Sequence, residues 1–179
     1  PGVFLTGFSR GGASAIHACK VLAEHKIIVD ALFLFDAVDR AVGIDADEIS
    51  TNVRIVHHAT RSPNADSRGI FGNCGLRYFP SHTTYNIKSF YCTHGAMGGT
   101  PWTQAGWDGK IYEDHVPVSK GMIILLGAAT GTLHAAASYV RSLKTNVTIE
   151  QERAGSAAVH AWMTKNLGDE IARVKSRQA

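Results

Sequence analysis

A chain of 179 residues, 45% hydrophobic and 18% charged, can bury one sizeable core, which excludes a chain disordered throughout. The formal charge is only +3, and Lys and Arg are scattered rather than gathered into a run, so no nucleic-acid surface is marked. Cys19, Cys74 and Cys92 are odd in number and widely spaced, which fits neither a disulfide framework nor a CxxC metal site.

Residues 3–6 are an apolar run of strand length that ends in Gly7. Helical spacing follows at Ala13, Ile16, Cys19, Leu22 and Ala23, unbroken by Gly or Pro, and predicts a helix from about Arg10 to about Glu24. The β-branched and aromatic run 27–35 predicts a second strand, which stops on Asp36. Strand, sharp turn, helix and strand make a βαβ unit, whose crossover implies parallel strands covered on both faces.

Residues 53–59 predict a third strand. Residues 60–85, rich in Ser, Asn, Gly and Pro, read as an irregular segment longer than most connections, of the kind that carries function. Residues 87–92 predict a fourth strand, running into Thr93-His94-Gly95. Residues 116–137 are apolar but broken by Lys120, Gly121, Gly127, Gly131 and His134, and read as a buried helix rather than a membrane span. A terminal helix is expected from about 150 to 174, with Ala157, Ala158, Ala161, Trp162 and Leu167 around its apolar stripe. No repeat or linker divides the chain, so residues 1–179 belong to one domain.

Gly7-Phe8-Ser9-Arg10-Gly11 fits GxSxG, and the expected strand before it and helix after it are the context in which that pattern is a nucleophile elbow. In that setting Ser9 sits exposed on a strained turn, and the Arg10 N–H, at the helix start, points to where an oxyanion would form. A serine hydroxyl needs a base and an orienting acid. Asp36 ends the neighbouring strand, at the sheet edge where α/β folds gather functional groups, with Asp39 as a rival acid close by. His94 follows the fourth strand among small residues that permit close approach, completing the chain order Ser, Asp, His. His57 and His58, adjacent in a strand, face opposite sides and read as packing residues, as does His17 on the first helix. Asp66 and Asp108 lie in Gly-containing loops without EF-hand spacing, so no metal and no cofactor is expected.

Four segments together resemble the α/β-hydrolase domain of the type VI secretion lipase effectors and their relatives. LTGFSRGGASA is similar to that family's GFSRGA elbow, and LFLFDAVD to its strand ending in the triad acid. VRIVHHATRSPNADSRGIF resembles its strand with a His-Ala pair and an Arg-containing loop, and FYCTHGAMGGTPW its loop bearing the triad histidine. Ala96-Met97 stand where the family has an acidic residue and valine, and Ala161-Trp162-Met163 resembles its closing helix more weakly.

The resemblance implies a mostly parallel sheet flanked by helices, with Ser9, Asp36 and His94 as the triad. It also implies that the N-terminal strands, and the loop donating a second oxyanion N–H, lie upstream of Pro1, so that 1–179 is the C-terminal part of the domain and its first strand carries an unpaired side. The implied substrate is an ester, a lipid or a phospholipid at a membrane surface. Localisation is open between the cytoplasm of synthesis and secretion as an effector. A catalytically idle fold that binds a partner, and an acyltransferase using the same triad, stand as alternatives.

Overall fold

The computed structural model describes residues 2–39, 45–68, 72–113 and 144–178. The apolar segment 116–137 lies outside them. Strand β1 (Phe4–Phe8) leads through helix α1 (Arg10–Glu24) to β2 (Ala31–Phe35), followed by β3 (Ile55–Arg61), β4 (Thr84–Phe90), the single-turn helix α2 (His94–Met97) and the long helix α3 (Ile149–Ser176). The four strands pair in parallel in the order β1-β2-β3-β4. The protein is therefore α/β, a parallel sheet flanked by helices, and β1 is an outer strand of the described sheet with one unpaired side.

Strand alternation divides the core in two. Leu32, Leu34 and Val56 face α1, where they meet Ala13, Ile16 and Cys19. Ala31, Phe33, Ile55 and Ala59 face the other way, onto Val159 and Met163 of α3. With helices on both faces the central strands are buried on both sides, which explains the continuous hydrophobic run of β2.

The expected first helix matches α1. The second strand is shorter than expected, because Ile27 and Ile28 are 39% and 43% exposed in the connection that follows α1, and only Val29 makes an isolated bridge, to Val53. β4 begins three residues earlier and ends before Tyr91. It is an outer strand whose Thr84, Asn86 and Lys88 are exposed, so its pairing carries little hydrophobic signal.

Helix α3 opens with a capping box between Thr148 and Gln151, and carries Glu150 and Glu152 in its first turn and Arg173 and Lys175 in its last, all favourable to the helix dipole. Its buried stripe is Glu152, Gly155, Val159, Met163, Glu170 and Val174, whereas Ala157, Ala158 and Ala161 face solvent. Two buried glutamates with polar partners in the body of the protein masked this stripe in the sequence. Among the described residues no helix is long and apolar enough to cross a membrane.

Where β1 turns into α1, the backbones pass too closely for side chains. A Cβ on Gly7 would lie 2.2 Å from the Gly11 carbonyl oxygen, and one on Gly12 would lie 2.5 Å from the Ala37 Cβ. Gly11 faces open space. Gly7→Ala is therefore expected to cost about 3 kcal/mol of unfolding free energy, and Gly11→Ala to stay within about 0.5 kcal/mol. Urea titration of the two variants checks this contrast; equal stabilities would refute the close approach.

Candidate active site

Ser9 is the residue at which β1 ends and α1 begins, with φ 56° and ψ −126°, a conformation that L-residues adopt only under constraint. The constraint is visible: its N–H donates to the Phe35 carbonyl at 3.0 Å, and its own carbonyl accepts from Gly12 and Val38 at 2.9 and 3.2 Å. A serine before a helix ordinarily turns its hydroxyl back to cap the first turn. Ser9 does not cap α1; its Oγ lies 2.9 Å from His94 Nε2. The Arg10 N–H is then one of the helix donors without an intrahelical acceptor, at the helix end that favours negative charge.

Asp36 repeats the device one strand along. It is the first residue past β2, its φ is 47°, and its N–H donates to the Ala59 carbonyl of β3 at 2.7 Å. The side chain is fully buried. Oδ2 accepts from His94 Nδ1 at 2.6 Å and from the Arg61 guanidinium; Oδ1 accepts from Asn73 Nδ2 at 2.7 Å and the Arg61 N–H at 3.3 Å. Burial works against ionisation here, but the hydrogen bond from His94, the Arg61 charge and the Asn73 amide outweigh it and hold the carboxyl at about 2. Asp36 is thus an anion at neutral pH. His94 bonds this acid, and Asp39 is not required in that position.

His94 opens α2, a helical turn where the sequence suggested only a loop. Thr93 caps it: its Oγ1 accepts from the Ala96 N–H. The turn is fastened from two sides. The buried Glu152 of α3 accepts from the Thr93 N–H at 2.8 Å, the Thr93 hydroxyl at 2.6 Å and the Trp102 N–H at 3.1 Å. The His94 N–H donates to Ser67 Oγ at 2.8 Å, and that hydroxyl in turn donates to Glu113 at 2.9 Å. Burial pushes the Glu113 carboxyl above its ordinary range, against the Ser67 hydrogen bond and the Arg68 charge. The Phe8 ring packs on the imidazole with centroids 4.8 Å apart, a fit that needs Gly98, where a Cβ would lie 2.6 Å from that ring.

Ser9, Asp36 and His94 are therefore brought into one hydrogen-bonded line. The other histidines lie elsewhere. His57 points to the α3 face, stacks on Phe33 and pairs with Glu170 at 3.2 Å. His58 points to the α1 face, where its Nε2 accepts from the Ala37 N–H and its Nδ1 donates to the Tyr85 oxygen, whose hydroxyl donates to the Gly75 carbonyl. Burial lowers His58 to about 4, so it is neutral and steadies the chain just after Asp36. His17 is exposed on α1 rather than packed.

The three thiols are buried and unpaired, and burial pushes each up to about 12, so none is a thiolate nucleophile. Asp108 is engaged by Lys144 at 2.6 Å, and Asp66 closes a short turn after residues 63–65. Among the described residues no group of three His, Cys, Asp or Glu side chains is disposed to hold a metal.

Sequence reasoning missed Arg61, Ser67, Asn73, Glu113 and Glu152. Only Arg61 had a readable signal, a charged residue at the end of a strand; the others are polar residues among many, distinguished only by the partners the fold brings to them. No family model, curated protein or solved structure matches the chain.

The depressed Asp36 carboxyl has a consequence for stability. A carboxyl held at about 2 instead of about 4 stabilises the fold by about 2 kcal/mol above pH 4, and this is lost as the pH falls from 4 through 2. Urea unfolding free energies of the wild type should therefore fall by about that much more than those of Asp36→Asn between pH 4.5 and 2. Parallel curves would show that Asp36 is not held ionised by its partners.

Proposed function

We propose that the protein is a serine ester hydrolase of α/β-hydrolase type, with Ser9 as nucleophile, His94 as general base and acid, and Asp36 as the acid that orients His94. The observation that carries this reading is the line from Ser9 Oγ to His94 Nε2 at 2.9 Å and from His94 Nδ1 to Asp36 Oδ2 at 2.6 Å, set on a strained elbow whose hydroxyl does not cap its helix.

The chemistry follows from that geometry. Ser9 Oγ attacks the acyl carbonyl while its proton passes to His94 Nε2, and the imidazolium that results lies against the ionised Asp36. The oxyanion forms beside the Arg10 N–H at the start of α1. Collapse breaks the ester C–O bond, the leaving alcohol takes the proton from His94, and Ser9 carries the acyl group. Water then gives a proton to His94 and attacks the acyl carbon; collapse breaks the Ser9 Oγ–acyl bond, His94 returns the proton to Ser9 Oγ, and the acid leaves. With an alcohol in place of water the same steps transfer the acyl group.

A fatty acyl substrate, including a phospholipid, rests on the resemblance of the elbow and histidine segments to lipase effectors. A groove of about 240 Å³ between β1, β2 and α3 supports an apolar acyl group, lined by Phe4, Thr6, Phe33, Phe35, Met163 and Leu167. Thr6 shares a strand face with Phe8 and lies about 10 Å along the chain from Ser9.

Turnover of a short p-nitrophenyl ester and of a phospholipid by the full-length protein tests the assignment, with thermal unfolding as the folding control. Ser9→Ala and His94→Ala should each lower kcat by about 10⁵ to 10⁶, and Asp36→Ala by about 10⁴. The double variants should add little, because once nucleophile or base is gone the remaining group has no proton transfer to assist. His57→Ala should lose stability and keep turnover per folded molecule. Wild-type turnover in Ser9→Ala on every ester tested would refute the proposal.

A further inference from the structure

Arg61 ends β3 fully inside the protein, with its side chain 7% exposed, and a buried cation is tolerated only where its donors are matched. Its guanidinium is matched on three sides: one amino group donates to Asp36 Oδ2, Nε to the Ser67 carbonyl at 2.7 Å, and the other amino group to the Arg68 carbonyl at 3.1 Å. Its backbone N–H takes the other Asp36 oxygen. The Asp36 oxygen that Arg61 holds is the one that receives His94 Nδ1, and the loop that Arg61 holds is the one whose Ser67 hydroxyl receives the His94 N–H. One side chain thus holds the Asp36 carboxylate directly and the main chain of the base through Ser67.

We infer that Arg61 is the positioning residue of this site, fixing Asp36 and the His94 turn in register and offsetting the Asp36 charge that His94 feels. This rests on the hydrolase reading of Ser9, Asp36 and His94. Two separable effects follow. The planar fork spans three acceptors in fixed directions, which a lysine ammonium does not reproduce. The positive charge opposes the stabilisation of the imidazolium by Asp36, so its removal makes His94 easier to protonate and harder to use as a base at low pH.

Among the described residues, the other charged or titratable groups near His94 are Asp36 beyond β2, Glu113 and Arg68 on the adjoining loops, Cys92 before the turn and Glu152 on α3, with His58 of β3 acting on Asp36 from the α1 face; β1 contributes Phe8 and Ser9. Each of these is retained when Arg61 is replaced.

The test is the pH profile of kcat/KM for a soluble ester in the full-length protein, whose acid limb reports the base of the free enzyme. Arg61→Gln should lower the plateau about 10²-fold and move the acid limb to higher pH. Arg61→Lys keeps the charge and loses the fork, so the plateau should fall while the limb stays at its wild-type pH. Ser67→Ala leaves the Arg61 charge in place, removes the acceptor of the His94 N–H together with the hydrogen bond to Glu113, and should also lower the plateau, which keeps the inference testable if Arg61→Gln does not fold.

A folded Arg61→Gln with wild-type plateau and limb would overturn the inference. So would a plateau lowered only in proportion to the folded fraction, with the limb in place, in both Arg61 variants. Wild-type protein that hydrolyses no ester removes the hydrolase reading and this inference together, whereas an active wild type with an indifferent Arg61 removes this inference alone.

Discussion

Two adjacent parallel strands end in step, and in each the next residue turns to positive φ while its N–H still donates to the neighbouring strand. Phe8 pairs with Phe35, and beyond that pair Ser9 donates to the Phe35 carbonyl as Asp36 donates to that of Ala59. The ladder therefore holds both residues in conformations that a free chain would avoid, and it sets their side chains at the same edge of the sheet. Everything else in the site answers to that edge. His94 arrives from the far strand by way of a single helical turn, and the glycines at 7, 12 and 98 are among the places where the approach leaves no room for a Cβ.

The site is also a set of buried polar groups, and such groups stabilise only when every partner is present. Asp36, Arg61, Ser67 and Glu152 are each nearly or fully inaccessible, and each spends its hydrogen-bonding capacity on a backbone or side-chain partner around His94. Glu152 reaches the site from α3 and gathers three donors from residues 93 and 102. The helix on one face of the sheet thereby positions a turn at its edge, so packing of α3 and presentation of His94 are one structural event. Loss of a single acceptor in this group leaves buried donors unpaired, at about 1–3 kcal/mol each.

What the sequence disclosed follows from what physical chemistry writes locally. The elbow, the βαβ unit and α1 were legible because glycine spacing, strand-length apolar runs and helical periodicity are short-range signals. Ser9, Asp36 and His94 were legible because each stands at the end of such an element. The start of β4 was not, since an outer strand with exposed Thr84, Asn86 and Lys88 pairs through backbone rather than through apolar side chains. The buried stripe of α3 was not, since its glutamates acquire meaning only from partners on other elements. Arg61 and Ser67 belong to the same class: their roles are defined by three-dimensional neighbours more than 20 residues away.

The central claim is that Ser9 is a nucleophile activated by His94. It is tested most directly by treating the folded full-length protein with a fluorophosphonate and mapping the adduct by peptide mass spectrometry. An activated serine requires a single phosphonyl adduct on Ser9 that disappears in His94→Ala. Folded wild-type protein with Ser9 unmodified, or equal modification with and without the imidazole, would contradict it.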